Sequence, residues 1–169
     1  MKHLRHILLA LALVVPTAGH AETKEEWIAL GARVHGGFGP FIPVGIRIGL
    51  DAMARLKADR HDVTVLYYDG GLPPCPCVAD GIMIAAQATP GQKTLVMSAE
   101  KAPPETMAVI IVRNRKTNEA VRYTIAREWH PTILAWRDLD PSGRYDAGMN
   151  AEGLFAVEPA QWPGGIDAR

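Results

Sequence analysis

The sequence has 169 residues, 18 of them basic and 18 acidic, so its formal net charge is zero. This length is typical of one domain of ordinary size. The balanced charge argues against nucleic-acid binding, which depends on a surplus of Lys and Arg side chains that neutralise phosphates.

The first 21 residues have the pattern of a cleaved secretory signal peptide. Lys2 and Arg5 give a positive start, residues 7–15 are apolar, and Gly19 and Ala21 place small residues at a cleavage site. An apolar run of this length is too short to cross a bilayer, which takes about 20 residues. We therefore expect cleavage after Ala21, a periplasmic or secreted mature protein, and no transmembrane anchor after cleavage.

The rest of the chain alternates between predicted helices and strands. Apolar residues at three- and four-residue spacing predict helices over 22–34 and 44–58, separated by a breaker of three glycines and two prolines at 35–43. The later patterns predict a strand at 63–68, a buried helix at 77–88, a short strand at 95–98, a hairpin of 107–113 with 120–125, a short helix from 130 to about 139, and a turn-rich tail from 140.

This order of elements favours an α+β fold: a single mixed-sheet domain with packed helices and a C-terminal β-hairpin. We divide the chain into a signal peptide (1–21), an α+β domain (22–130) and a C-terminal extension packed on the same domain (131–169). In the second helix, Arg47, Asp51 and Arg55 are spaced four residues apart and predict a ladder of ion pairs.

The first candidate site is the loop after the opening helix. His35 is followed by Gly36 and further glycines, just before the start of a helix. Imidazole is a metal ligand or a hydrogen-bond donor, and the free N–H groups of a helix start attract anions. The alternative is a tight connection in which the histidine satisfies a backbone carbonyl.

The second candidate site contains both cysteines. Cys77 is predicted at the first turn of a buried helix, where the helix dipole lowers the pKa of a thiol, and Asp80 follows three residues later as a site residue or a cap. Pro76 favours an extended Cys75, and extended α-carbons two residues apart lie near or above the upper end of the disulfide range of about 4.4–6.8 Å. We therefore expect a Cys75–Cys77 disulfide to be strained and easily reduced. Metal ligation, a redox-active pair and buried inert thiols stay open as alternatives.

A third motif lies between Asp138 and Asp146. The spacing D-x-D-x-S-G copies the first half of an EF-hand calcium loop. However, Met149 stands where the bidentate glutamate should fall, and no convincing helices flank the loop. A polar turn is therefore the favoured interpretation, with calcium binding as the alternative.

These motifs, in this order, resemble the core signature of the formylmethanofuran dehydrogenase E-subunit family. That signature opens with H-G-H-x-C-P-G before a helix, and His35, Gly36 and Pro40 match it, while Gly37 and Gly39 replace its second histidine and its cysteine. The family continues with a cysteine shortly before D-A-I, which is similar to Cys77 and Asp80-Gly81-Ile82 here. Residues 88–95 and the hairpin ending in Arg122-Tyr123 are also similar, so the resemblance runs from about Trp27 to Ile125.

The resemblance implies an α+β domain in which His35, Cys77 and Asp80 converge on one pocket. The sequence would be an exported, divergent member without the cysteine-rich zinc-binding tail of many relatives, so Cys75 would stand in for a lost ligand. The implied metal ligands are His35, Cys75 and Cys77, the implied cofactor-binding residues are His35, Gly36 and Asp80, and zinc or copper would suit this donor set.

Three functions follow as hypotheses. The first is an exported protein that binds a metal ion or small cofactor in the His/Cys pocket. The second is a thiol- or metal-dependent enzyme of unknown substrate, with His35 as general base and Cys77 as nucleophile or ligand. The third is a structural partner domain without a ligand. The expected partner is a small ligand or metal ion, and homo-oligomerisation stays open.

Overall fold

The computed structural model describes residues 21–72 and 74–164. Residues 1–20 of the predicted signal peptide lie outside this part of the chain. Within it, no helix has the length and apolar character needed to cross a membrane. The elements follow in the order α1 (Lys24–His35), α2 (Phe41–Leu56), β1 (Val63–Asp69), α3 (Val78–Ala86), β2 (Leu95–Met97), β3 (Thr106–Asn114), β4 (Ala120–Ala126), α4 (Trp129–Ala135), a 3-10 turn (Trp136–Asp138), α5 (Pro141–Asn150) and β5 (Ala156–Ala160).

The strands form one five-stranded mixed sheet in the order β2-β1-β3-β4-β5. The β1–β2 pair is parallel, and the three other pairs are antiparallel. One row of paired residues crosses the sheet from Tyr67 through Ile110 and Tyr123 to Val157. The first three of these side chains are buried in the main core, which the sheet shares with α2. The structure confirms the predicted α+β fold with its mixed sheet and its hairpin of β3 and β4.

Two glycines bring α2 and α3 into close contact. A Cβ added at Gly45 would overlap the carbonyl oxygen of Val78, and one added at Gly81 would overlap the carbonyl oxygen of Ile42. Only residues without side chains allow two helix backbones to approach this closely. Because α3 begins beside the cysteines and carries Asp80, this contact fixes the position of the candidate site relative to the core.

Helix α2 begins earlier than predicted, at Phe41, and includes Pro43. The sequence prediction begins this helix at residue 44, because the prolines before it argue against a helix. A proline in the first helical turn is tolerated, however, since the N–H groups there have no partner within the helix. Of the predicted ion-pair ladder, Arg55 does pair with Asp51 at 2.6 Å. Arg47 instead donates to the carbonyl oxygen of Ala151 at 2.7 Å.

The predicted turn-rich tail from residue 140 is wrong, because it forms α5 and β5. Asp140 is the N-cap of α5 and accepts a hydrogen bond from the N–H of Gly143 at 2.6 Å, and Pro141 occupies the first helical position. These are strong helix-start signals. Strand β5 pairs with β4, and α5 contacts α2. The division of the chain at residues 21 and 130 stays a prediction.

Candidate functional site

His35 is the last residue of α1. The helix begins with a capping box of Thr23 and Glu26, and it ends at Gly36, whose φ of 87° is left-handed. The N–H of Gly36 donates to the carbonyl oxygen of Ala32 at 3.0 Å. Glycine is the residue that adopts this conformation at least cost. Gly36 therefore terminates α1 beside His35. A contact of Gly36 with a cofactor stays a prediction.

Asp80 holds the imidazole ring of His35. Its Oδ2 atom lies 2.6 Å from Nδ1 of His35, and the side chains are 37% and 23% exposed, respectively. An ionised carboxylate only accepts hydrogen bonds, so Nδ1 carries the hydrogen. In the neutral imidazole, the lone pair of Nε2 is then left for another partner, which is the arrangement that carboxylates impose on metal-binding histidines.

The two cysteines form a pair at the start of α3. Their sulfur atoms are at bonding distance, and their α-carbons are 5.3 Å apart. Cys77 is the N-cap residue of α3, is 4% exposed and packs in the main core. Cys75 lies in the preceding loop and is the more exposed of the two. As the sequence contains two cysteines, both belong to this pair.

The expectation of widely spaced α-carbons at the cysteine pair is wrong, since 5.3 Å lies in the middle of the disulfide range. Proline restricts the residue before it, here Cys75. The separation of the two α-carbons, however, depends on the backbone angles of Pro76 itself. The carbonyl oxygen of Pro76 accepts from the N–H of Ala79 at 2.9 Å, so the chain already turns into α3 at this point. The strain inferred from an extended chain therefore has no basis.

His35, Cys75 and Cys77 form a group whose ligand atoms all lie within 4.8 Å of one another. Among residues 21–72 and 74–164, this is the one group of three or more His, Cys, Asp or Glu side chains with the spacing of a metal site. The structure confirms that His35 and Cys77 are neighbours despite their separation in sequence. It also brings Asp80 beside them, through its hydrogen bond to His35.

The group opens into a cleft of about 250 Å³. Its walls are formed by His35, Cys75, Pro76, Cys77, Ala79, Asp80, Met83, Pro90, Leu95 and Met97. Met83 and Met97 were missed from the sequence. Met83 could have been found, because it follows Asp80 by three residues on a predicted helix and so lies on the same side. Met97 had no such signal, since only the β1–β2 pairing brings it near.

A second, smaller cavity also borders the cysteine loop. It has a volume of about 10 Å³, enough for about one water molecule, and Cys75, Tyr67, Asp69 and His130 are among the residues that line it. The ring of His130 stacks on that of Phe41 with their centres 5.8 Å apart. Burial, and secondarily the charge of Asp69, raises the pKa of Tyr67 well above its usual value. This cavity is thus far smaller than the cleft, which has a volume of about 250 Å³.

The Asp138–Asp146 segment is neither a calcium loop nor a polar turn. Asp140 caps α5, and Asp146 lies within α5 and pairs with Lys24 at 2.5 Å. The aspartates are thus spread along a helix rather than wrapped around a common point. Within the described part of the chain, they form no group with the spacing of a metal site.

Comparison with known families decides the relationship suggested by the motifs. A profile of the family described as "FmdE, Molybdenum formylmethanofuran dehydrogenase operon" matches residues 34–146, more than half of the 169-residue chain. The chain belongs to the FmdE family. The FmdE match contains the complete candidate site, from His35 through the cysteine pair to Asp80 and both methionines. No curated protein matches the chain.

Proposed function

We propose that this FmdE-family protein is exported and binds a zinc or copper ion through His35, Cys75 and Cys77. The observation that carries the proposal is the clustering of their ligand atoms within 4.8 Å. Metal–ligand bonds to nitrogen and sulfur measure about 2.0–2.3 Å, so this spread is close to that of one coordination sphere. Two thiolates and an imidazole are donors that zinc and copper prefer.

The hydrogen bond between Asp80 and His35 supports the same proposal. A metal-binding histidine commonly donates its second ring N–H to a carboxylate, which fixes the ring and increases its basicity. The 2.6 Å distance between Nδ1 and Oδ2 matches this arrangement. Asp80 would then act on the metal through His35 rather than as a direct ligand.

The cysteine pair makes metal binding dependent on redox state. In the disulfide, each sulfur is bonded to the other and neither is a thiolate, so only the imidazole is left as a donor. Reduction by an external dithiol transfers two electrons and two protons and yields two thiols, which bind metal after losing their protons. The dithiol form is therefore the metal-binding form.

The cleft favours a second candidate function, that of a metal- or thiol-dependent enzyme. Three protein ligands leave one position of a tetrahedral zinc free, as in catalytic zinc sites. The adjoining space of about 250 Å³ would admit a small substrate to that position. A turnover assay would test this function, but it needs a substrate. The residues that line the cleft indicate only that such a substrate has apolar parts.

Thermal unfolding tests metal binding directly. The reduced, metal-free protein should gain about 2.7 kcal/mol at a hundredfold excess of zinc or Cu(I) over Kd, which raises Tm by roughly 5–10 °C. His35→Ala and Cys75→Ser should abolish this shift. Cys75→Ser is the cleaner cysteine variant because Cys77 is buried in the core. His61→Ala, at a histidine outside the site, is the matched control. An identical Tm in zinc, Cu(I) and chelator would refute the proposal.

A further inference from the structure

Two methionines line the same cleft as the three proposed metal ligands. Met83 lies on α3 and Met97 ends β2, so they come from different elements and converge on one space. Cys77, Asp80 and Met83 follow one another at three-residue intervals, which places them along one side of α3. The thioether of Met83 therefore lies on the side of the helix that carries the rest of the site.

Neither methionine is fully buried. Met97 is 44% exposed, and Met83 is partly buried where it packs against the main core. A methionine side chain has three rotatable bonds beyond its backbone, so its sulfur can move within such a space without disturbing the fold. Both residues line the cleft, so a change of rotamer is enough to bring either sulfur atom toward the proposed ligands.

Thioether sulfur distinguishes between the two metals that the proposed site would accept. It is a soft, neutral donor that binds Cu(I), whereas zinc is held in proteins by thiolate, imidazole and carboxylate. A carboxylate ligand would favour zinc, but Oδ2 of Asp80, the one carboxylate among the described residues of the lining, is engaged by His35. The other donors lining the cleft are four sulfur atoms and one imidazole. Two thiolates already exceed the single positive charge of a Cu(I) ion, so any further ligand to it should be neutral, as a thioether is.

We infer that Met83 and Met97 make this a Cu(I) site, in which thioether sulfur from this pair is a ligand in addition to His35, Cys75 and Cys77. The inference rests on the proposed metal binding and names the metal and the two residues that supply the further sulfur donor. It differs from that proposal in a measurable way, since the methionines contribute to the affinity for Cu(I) and not to that for zinc.

The test compares Cu(I) and zinc affinities of the reduced protein under anaerobic conditions. Competition with a chromophoric Cu(I) chelator and with a zinc chelator gives the two Kd values. Met83→Leu and Met97→Leu conserve side-chain volume and remove only the sulfur. Met149→Leu, at a partly buried methionine packed on the core outside the cleft, is the matched control. Melting of each metal-free variant verifies that it folds.

The double methionine variant should weaken Cu(I) binding by at least the roughly tenfold that loss of a residue supporting a metal ligand causes, and it should leave zinc binding unchanged. The single variants show which methionine contributes more. X-ray absorption of the Cu(I) protein should show fewer sulfur neighbours in the double variant. Unchanged Cu(I) affinity and sulfur count in the double variant would overturn the inference while leaving metal binding intact. Equal losses for both metals would also overturn it, because the methionines would then only shape the cleft. A wild-type protein that binds neither metal would refute the proposed function and this inference together.

Discussion

His35 and Asp80 are 45 positions apart in sequence, yet their side chains share a hydrogen bond of 2.6 Å between Nδ1 and Oδ2. The bond links the C-terminal end of α1 to the first turn of α3. It orients the imidazole relative to the cysteine pair, which lies just before α3. The geometry of the candidate site thus depends on how these two helix ends are held together.

Loss of this hydrogen bond should weaken metal binding. Asp80→Ala removes the hydrogen bond that fixes the imidazole ring, so we expect a zinc Kd about 10–100-fold higher. Asp80→Asn keeps an acceptor oxygen without the charge and should have a smaller effect. The measurement is chelator competition with the reduced protein. Asp62→Asn, at a carboxylate paired with Lys116 away from the site, should leave Kd unchanged. Equal affinity in Asp80→Ala and wild type would show that Asp80 does not position His35.

Gly81→Ala should destabilise the fold by about 1–3 kcal/mol or more. A Cβ at this position would overlap the carbonyl oxygen of Ile42, so α2 and α3 would have to separate. Denaturant unfolding measures the change in the free energy of unfolding. Gly91→Ala is the matched control, because a Cβ there would meet no atom within 4 Å. If the two variants were equally stable, the close packing of these helices would not be what holds the site in place.

The fold should lose stability in alkali through two buried tyrosines. Burial raises the pKa of Tyr67, and burial together with the carboxylate of Asp51 raises that of Tyr123. Below the unfolded pKa of about 10, both states keep the phenol protons, and the full stability is present. As the pH rises above 10, the unfolded state releases these protons while the folded state retains them, so the free energy of unfolding falls.

Denaturant unfolding between pH 8 and pH 11 measures this slope. Tyr67→Phe removes the titrating group and should make the fall shallower. Tyr123→Phe should do the same, although it also removes the 2.6 Å hydrogen bond to Asp51 and so lowers stability at every pH. Slopes equal to that of the wild type in both variants would mean that other groups cause the alkaline loss.

If the protein is exported and cleaved after Ala21, its mature N-terminus is Glu22. The residues from the positive start to Gly19 and Ala21 have the pattern that a signal peptidase cleaves. N-terminal sequencing of protein recovered from the periplasmic fraction or the medium checks this. Replacement of Ala21 by a bulky residue should block cleavage, so this variant should keep the residues before Glu22 while the wild type loses them. Recovery of protein that begins at Met1 would contradict the prediction.

Much of this fold was predictable because its signals are local. The apolar spacing of α2 identifies that helix from a few neighbouring residues, and the polar Lys116-Thr117 turn between β3 and β4 does the same for the hairpin. The start of α5 was missed although Asp140-Pro141 is a local signal, because the same residues also fit the spacing of a calcium loop. For the site, the family motifs identified His35, Cys77 and Asp80. The position of Met97 depends instead on long-range strand pairing, which no local pattern encodes.

The last prediction concerns competition between oxidation and metal for the same sulfur atoms. Cys75 and Cys77 are bonded to each other in the structure, and both belong to the proposed ligand set. The oxidised protein should therefore show no change of Tm in zinc, and reduction by dithiothreitol followed by its removal should restore the shift of roughly 5–10 °C. Alkylation and mass measurement count the free thiols in each sample and verify its redox state.

His35→Ala separates the redox reaction from metal binding. The variant keeps both cysteines. Alkylation should therefore label no thiol in its oxidised form and two thiols in its reduced form, as in the wild type. It should nevertheless show no zinc-dependent shift in the reduced state, because two adjacent thiolates without the imidazole form an incomplete site. Bound zinc should in turn protect the wild-type thiols from alkylation and from oxidation, since it occupies their lone pairs. A zinc-dependent shift in the fully oxidised protein would show that the metal binds elsewhere, and the cysteine pair would then be a disulfide with no part in metal binding.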